Sequence, residues 1–98
     1  MVRVHVIIKG FVQGIGFRYF LKQKADELGL AGWVRNLPAG RQGIQEGNVE
    51  AVFEGREDSV EKAIAVCKEG PPFANVEHVT VERSEANGNL QEFTIKYY

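Results

Sequence analysis

The sequence predicts an α+β fold in which an antiparallel sheet of four to five strands carries two helices on one face. The first observation behind this prediction is that apolar and polar residues alternate in several short segments, which is the period of a strand. The second is that two longer segments repeat apolar residues at helical spacing and end at glycine. In chain order these segments give β-α-β-β-α-β and then one more strand.

The first half of the chain predicts two strands with a helix between them. Residues 2–8 alternate as a strand does. From Phe17 to Leu28 apolar side chains recur at helical spacing opposite a charged face, and Gly29 follows as a helix-ending glycine. A second strand is predicted over residues 30–37, because Pro38 lacks a backbone N–H and restricts the residue before it to extended conformations.

The second half predicts three strands and another helix. A polar, glycine-rich loop over residues 38–48 leads to a strand at residues 49–53. A helix follows over residues 57–69, and two more strands cover residues 76–82 and 92–97. Adjacent strands in the middle of the chain favour antiparallel pairing, so the first six elements give the split βαβ order of a ferredoxin-like sandwich.

The length of 98 residues predicts a single domain over residues 1–98. The net charge of −1 gives no overall field that would attract nucleic acid, and no apolar run approaches the roughly 20 residues of a membrane span. Cys67 is the only cysteine and lies in a helical pattern, so a buried free thiol is expected. The acidic residues of the second half lack metal-ligand spacing. We expect a cytoplasmic monomer that needs no metal or other cofactor.

A glycine-rich turn joins the first strand to the first helix. Residues 10–18 read Gly-Phe-Val-Gln-Gly-Ile-Gly-Phe-Arg. Glycine allows consecutive backbone N–H groups to turn inward, and the first N–H groups of a helix have no partner within it, so the turn is a candidate cradle for an anion. Arg18 falls in the first helical turn, where it could bind two oxygens of a phosphate or carboxylate, or lie over the turn with its head in water.

The same string resembles the first signature of acylphosphatases, which are small enzymes that hydrolyse acyl phosphates. A second stretch, Gly-Leu-Ala-Gly-Trp-Val-Arg-Asn over residues 29–36, is similar to the second signature of that family. Gly-Pro-Pro at residues 70–72 and Phe-Thr-Ile-Lys-Tyr at residues 93–97 also fall where the family has similar residues. The resemblance covers nearly the whole chain and implies the ferredoxin-like sandwich that the element order predicts independently.

The resemblance implies roles for residues in the two signatures. Arg18 matches the family's phosphate-binding arginine, and the loop amides match its phosphate cradle. Asn36 matches the asparagine that orients the attacking water, although asparagine before Leu-Pro is also a common turn residue. The side chain of Gln13 is assigned to loop geometry. The amides expected to bind phosphate are those of Val12, Gln13, Gly14, Ile15, Gly16 and Phe17.

The residue types in the loop favour a reaction without a covalent intermediate. Residues 11–17 contain no Ser, Cys, Thr, His, Asp or Glu, so the cradle holds no nucleophile and no strong base. Catalysis would then rest on position and charge, which suits a leaving group that needs little help, such as the carboxylate of an acyl phosphate. In the family that the chain resembles, the phosphate of the substrate assists in taking the proton of the water, with no metal.

One departure from the family pattern keeps other functions open. In the family a short turn with Asp-Gly usually follows the asparagine and leads to Val-Glu, whereas here a longer glycine-rich insert separates Asn36 from Val49. The insert could cap the site, change substrate preference or lie in solvent. A non-catalytic anion-binding module is therefore the alternative. An RNA-binding ferredoxin-like domain ranks lower, because residues 14–20 faintly echo a ribonucleoprotein string but lead into a helix.

Overall fold

The observed strands and helices follow the predicted order. The computed structural model describes residues 1–14, 16–38 and 47–97. Both helices have the predicted bounds, whereas the first, third and fourth strands are longer than predicted and the second and fifth are shorter. The predicted loop over residues 38–48 lies largely outside the described residues. Within the described ranges the elements are β1 Val2–Phe11, α1 Phe17–Leu28, β2 Ala31–Asn36, β3 Val49–Gly55, α2 Glu57–Glu69, β4 Asn75–Glu85 and β5 Phe93–Lys96.

The strands of the described residues form one five-stranded sheet in the order β4-β1-β3-β2-β5. The predicted α+β sandwich is confirmed, and the pairs β1–β3, β1–β4 and β2–β3 are antiparallel as predicted. The exception is β5, which runs parallel to β2, so the sheet is mixed. The reason is that β4 and β5 lie at opposite edges of the sheet. The neighbour of β5 is therefore β2, and β2 runs in the same direction as β5.

Both helices cover the same face of the sheet. Helix α1 packs over β2 and β5, and α2 packs over β1, β3 and β4. Their apolar side chains join those of the covered face in one core, in which Phe53 and Phe93 stack with ring centroids 5.3 Å apart. Cys67 is a free thiol buried in this core, as predicted, and burial raises its pKa to about 12. Neither of the two helices in the described ranges is long and apolar enough to cross a membrane.

The other face of the sheet carries a charged network. Glu50 of β3 lies between His5 of β1 and Arg35 of β2, and its two carboxylate oxygens are each 2.6 Å from a nitrogen, His5 Nε2 and Arg35 Nε. Burial would raise the pKa of Glu50, but these hydrogen bonds hold it below its ordinary value. On the same face, Lys96 Nζ lies 4.4 Å from the ring centroid of Trp33. The network therefore links the three central strands, and Trp33 packs beneath a cation.

Candidate active site

Three strands end at the same end of the sheet. Strands β1 and β2 are both antiparallel to β3, and β5 is parallel to β2, so these three strands run in one direction. Their carboxyl ends lead into the glycine-rich turn, Asn36 and Tyr97. The parallel pairing of β5 therefore decides which residues can meet at this end.

The turn between β1 and α1 has the geometry of an anion cradle. Gly14 and Gly16 have φ angles of 75° and 79°, in the left-handed region that favours glycine, and Gly16 caps the start of α1. The backbone N–H groups of Gln13, Gly14 and Gly16 donate to no other residue within the described ranges. Together with the unpaired N–H groups of the first helical turn, they are available to an anion.

Gln13 connects this turn to the chain on both sides of the insert. Its Nε2 donates to the carbonyl oxygen of Leu37 at 2.6 Å and to that of Asn48 at 2.8 Å. The carbonyl of Asn48 also accepts from the backbone N–H of Leu37, at 2.8 Å. We call this arrangement of Gln13, Leu37 and Asn48 the glutamine clamp. It gives the side chain of Gln13 a structural role in the loop, as the sequence predicts.

Arg18, the second residue of α1, directs its guanidinium to the end of β5. A terminal nitrogen lies 3.4 Å from the carbonyl oxygen of Lys96, and Cζ lies 4.9 Å from the ring centroid of Tyr97. One helical turn later, Lys22 Nζ donates to the carbonyl of Phe93 at 3.1 Å. The half-buried guanidinium has no acidic partner within the described residues, so its charge is available to an anion.

Asn36 is the last residue of β2 and lies across from Val49 of β3. Strand alternation turns its side chain to the face that the helices cover, and turns Arg35 to the opposite face, where Arg35 binds Glu50. The side-chain amide of Asn36 has no hydrogen-bond partner within the described part of the chain. It is partly exposed and is therefore free to hold a water molecule or a ligand.

Arg18 and Asn36 line one open cavity with a volume of about 140 Å³. Most of the residues predicted for the site belong to this lining. Gln13 does not line the cavity, and its side chain is engaged in the glutamine clamp. Ile15 lies outside the described residues. The described residues that line the cavity are Val12, Gly14, Gly16, Phe17, Arg18, Tyr19, Asn36, Ile95 and Tyr97.

Sequence reasoning did not single out Tyr19, Ile95 and Tyr97 for the site. Ile95 and Tyr97 reach the cavity through the parallel pairing of β5 with β2, which residue patterns do not indicate. Tyr19 directly follows Arg18, and side chains at the start of a helix lean toward its N-terminus. That adjacency is the signal that would have placed Tyr19 at the cradle.

The lining can bind an anion but offers little for covalent chemistry. Among the described residues that line the cavity, Arg18 is the only charged side chain, and there is no serine, cysteine, histidine or carboxylate. A phosphoryl group would therefore meet one guanidinium and several N–H donors, with no strong nucleophile beside it. The described residues also contain no group of three or more His, Cys, Asp and Glu side chains that could hold a metal ion.

The structure does not place the ribonucleoprotein-like string where an RNA-binding domain needs it. Such domains present these aromatic residues on central strands of an open sheet face. Here the described part of residues 14–20 forms the end of the cradle and the first turn of α1. The RNA-binding alternative therefore loses its structural basis.

The fold and the cavity together define a class of protein, a small α+β sandwich with an open cavity between its first strand and its first helix. The family model described as Acylphosphatase matches residues 4–95, which is most of the chain. The chain belongs to the acylphosphatase family.

Relatives and solved structures agree with this assignment over nearly the full chain. The acylphosphatase of Trichormus variabilis is 51% identical over 96 residues, which cover 98% of this chain and 87% of that protein. The crystal structure of acylphosphatase from Bacillus subtilis matches with a TM-score of 0.88 at 36% identity, covering 99% of this chain and 100% of that one. An acylphosphatase structure from Coxiella burnetii matches with a TM-score of 0.83 at 36% identity, covering 97% and 92%. These similarities assign the chain the family's enzyme activity, the hydrolysis of acyl phosphates.

Proposed function

We propose that the cavity binds the phosphoryl group of an acyl phosphate, and that water cleaves the carboxyl–phosphate bond to give a carboxylate and inorganic phosphate. The observation that carries this proposal is that Gly14 and Gly16, whose N–H groups have no partner among the described residues, line one cavity together with Arg18 and Asn36. The amides of residues 12–17 and the guanidinium would bind the phosphoryl oxygens and neutralise their charge.

Arg18 is partly oriented before substrate binds. Its contact with the carbonyl of Lys96 is long, at 3.4 Å, so a phosphoryl oxygen can replace that contact without breaking a strong hydrogen bond. The ring of Tyr97 lies against the guanidinium and restricts its motion. The planar guanidinium then presents two N–H groups to two oxygens of the phosphoryl group.

Asn36 would orient the attacking water opposite the leaving carboxylate. A bond forms between phosphorus and the water oxygen while the bond between phosphorus and the carboxyl oxygen breaks. Because the described lining holds no strong base, a phosphoryl oxygen of the substrate takes the water proton. The carboxylate is a weak base and leaves as an anion without a proton donor. Positioning and charge neutralisation then supply the catalysis.

The test is hydrolysis of benzoyl phosphate in the presence of a chelator, with inorganic phosphate as competitor. We expect Arg18→Ala to lower kcat/KM by about 10²–10³-fold and to weaken inhibition by phosphate, since it removes the main charged donor. Asn36→Ala should lower kcat by about 10²-fold and leave phosphate inhibition nearly unchanged, since it removes only the water-orienting amide.

Matched controls separate these effects from general damage to the fold. Arg56→Ala and Asn89→Ala replace exposed residues far from the cavity and should keep wild-type kinetics. An Asn36→Ala variant with the wild-type kcat would contradict the water-orienting role. A wild-type protein that phosphate stabilises against heat, but that hydrolyses no acyl phosphate, would instead be the non-catalytic anion-binding module.

We further propose that residues 1–98 act as one domain, as a cytoplasmic monomer without metal, cofactor or nucleic-acid partner. The net charge of −1 and the buried free thiol of Cys67 support this proposal, because a free cysteine suits a reducing compartment. Sedimentation at several protein concentrations tests the oligomeric state.

A further inference from the structure

Two exposed tyrosines stand at the mouth of the active-site cavity. Tyr19 is 67% exposed and Tyr97 is 78% exposed, and both line the cavity that contains Arg18. The other exposed aromatic side chains of the described residues, Phe11 and Phe73, do not line it. Large rings that remain exposed beside a binding site gain stabilisation when a ligand covers them.

The start of α1 sets the direction of Tyr19. Arg18 and Tyr19 are the second and third residues of the helix, and helical side chains lean toward the N-terminus, here toward the cradle. Arg18 and the loop amides are engaged by the phosphoryl group. Because the phosphoryl group occupies the part of the cavity beside Arg18 and the loop amides, the acyl group attached to it lies against the remaining lining, which includes the exposed ring of Tyr19.

The rest of the lining indicates which acyl groups fit there. Ile95 contributes aliphatic surface, and the two tyrosines contribute ring surface. Among the described lining residues Arg18 carries the only charge, and the phosphoryl group uses it. An acyl group with a flat apolar body can contact the ring of Tyr19, whereas one with a second charge meets no opposite charge from these residues.

We propose that Tyr19 determines substrate preference by binding the acyl group, and that it favours acyl phosphates with a planar apolar acyl group over those with the smallest acyl group. This inference rests on the proposed function of the cavity. Tyr97 adds to the same surface, but its ring also contacts Arg18, so changing it would disturb phosphate binding as well. Tyr19 therefore separates recognition of the acyl group from recognition of the phosphoryl group.

The experiment compares kcat/KM for benzoyl phosphate and acetyl phosphate in the wild type and in Tyr19→Ser, Tyr19→Phe and Phe73→Ser. Comparing the ratio of the two substrates between variants cancels their intrinsic difference in reactivity. We expect Tyr19→Ser to lower the benzoyl-to-acetyl ratio by about three- to tenfold, which corresponds to the loss of one aromatic contact. Tyr19→Phe keeps the ring and should keep the ratio within about twofold. Phe73→Ser removes an exposed ring away from the cavity and should change neither substrate.

Inhibition by phenylphosphonate and methylphosphonate gives a second readout that does not depend on the leaving group. Tyr19→Ser should weaken inhibition by phenylphosphonate more than inhibition by methylphosphonate. If both substrates are hydrolysed and Tyr19→Ser leaves both ratios unchanged, the role of Tyr19 is overturned while the proposed function stands. If the wild type hydrolyses neither substrate, the proposed function fails and this inference fails with it.

Discussion

Replacing Gln13 by methionine should weaken both the fold and the catalysis. Methionine is an unbranched side chain of similar length but has no N–H donor. The substitution therefore removes the hydrogen bonds of 2.6 and 2.8 Å to the carbonyls of Leu37 and Asn48 and keeps the apolar stem. Asn36 directly precedes Leu37, so loss of the glutamine clamp also loosens the proposed water-orienting amide relative to the cradle.

The expected magnitude depends on which carbonyl loses its partner. The carbonyl of Asn48 still accepts a hydrogen bond from the backbone N–H of Leu37, so losing its bond to Gln13 costs little. The carbonyl of Leu37 is left with no partner among the described residues. One net hydrogen bond contributes about 0.5–1.5 kcal/mol, and an unsatisfied buried acceptor costs about 1–3 kcal/mol. Because the clamp is only partly buried, we expect the free energy of unfolding to fall by about 1–2 kcal/mol. We expect kcat to fall by about tenfold, with a smaller change in KM.

Urea denaturation followed by circular dichroism measures the first effect, and hydrolysis of benzoyl phosphate measures the second. Gln23→Met, at an exposed position of α1, is the matched control and should shift stability by less than about 0.5 kcal/mol. Gly47→Ala tests the clamp without changing Gln13 itself. The new Cβ would lie 2.6 Å from Cδ of Gln13 and displace its side-chain amide from the two carbonyls. If Gln13→Met and Gln23→Met behaved alike in stability and kcat, the reasoning about the clamp would be refuted.

Two further predictions concern stability. The lowered pKa of Glu50 means that its carboxylate stabilises the fold fully above the ordinary value of 4.5, and that this contribution is lost as the pH falls through the folded-state pKa. Glu50→Gln should therefore flatten the acid side of a plot of unfolding free energy against pH below 4.5, and an unchanged slope would contradict this. Phe93→Ala removes a ring that is 1% exposed and stacks on Phe53, so urea denaturation should show a loss of about 3–5 kcal/mol. A loss below about 1 kcal/mol would mean that this ring does not anchor β5.

Local patterns predicted the elements but not every pairing between them. Both helices begin and end where apolar spacing and the glycines at their ends indicate, because those signals act within a few residues. The direction of β5 has no such local signal, since its four residues would alternate equally well beside a parallel or an antiparallel neighbour. That direction is decided by the edge that remains free once β4 has paired with β1, which is a property of the whole sheet.

The candidate site was likewise predictable where its residues are contiguous in sequence, and less so where strand pairing brings them together. The cradle and Arg18 are contiguous in sequence, so residue types alone indicated an anion site there. The meeting of Asn36 with that cradle followed from the family resemblance, and its structural cause is that β1 and β2 end on the same side of the sheet. Tyr97 joins them only because β5 is parallel to β2, and so it was missed.

The two edges of the sheet differ in how readily another chain could add a strand. At one edge β5 is only four residues long, and Lys22 of α1 already occupies the carbonyl of Phe93. At the other edge β4 is eleven residues long, and Glu77, Glu82 and Glu85 on it are exposed. These carboxylates would repel an incoming copy of the same strand at neutral pH. The long β4 edge is therefore protected against strand addition by charge, and the β5 edge by its shortness and by the contact from Lys22.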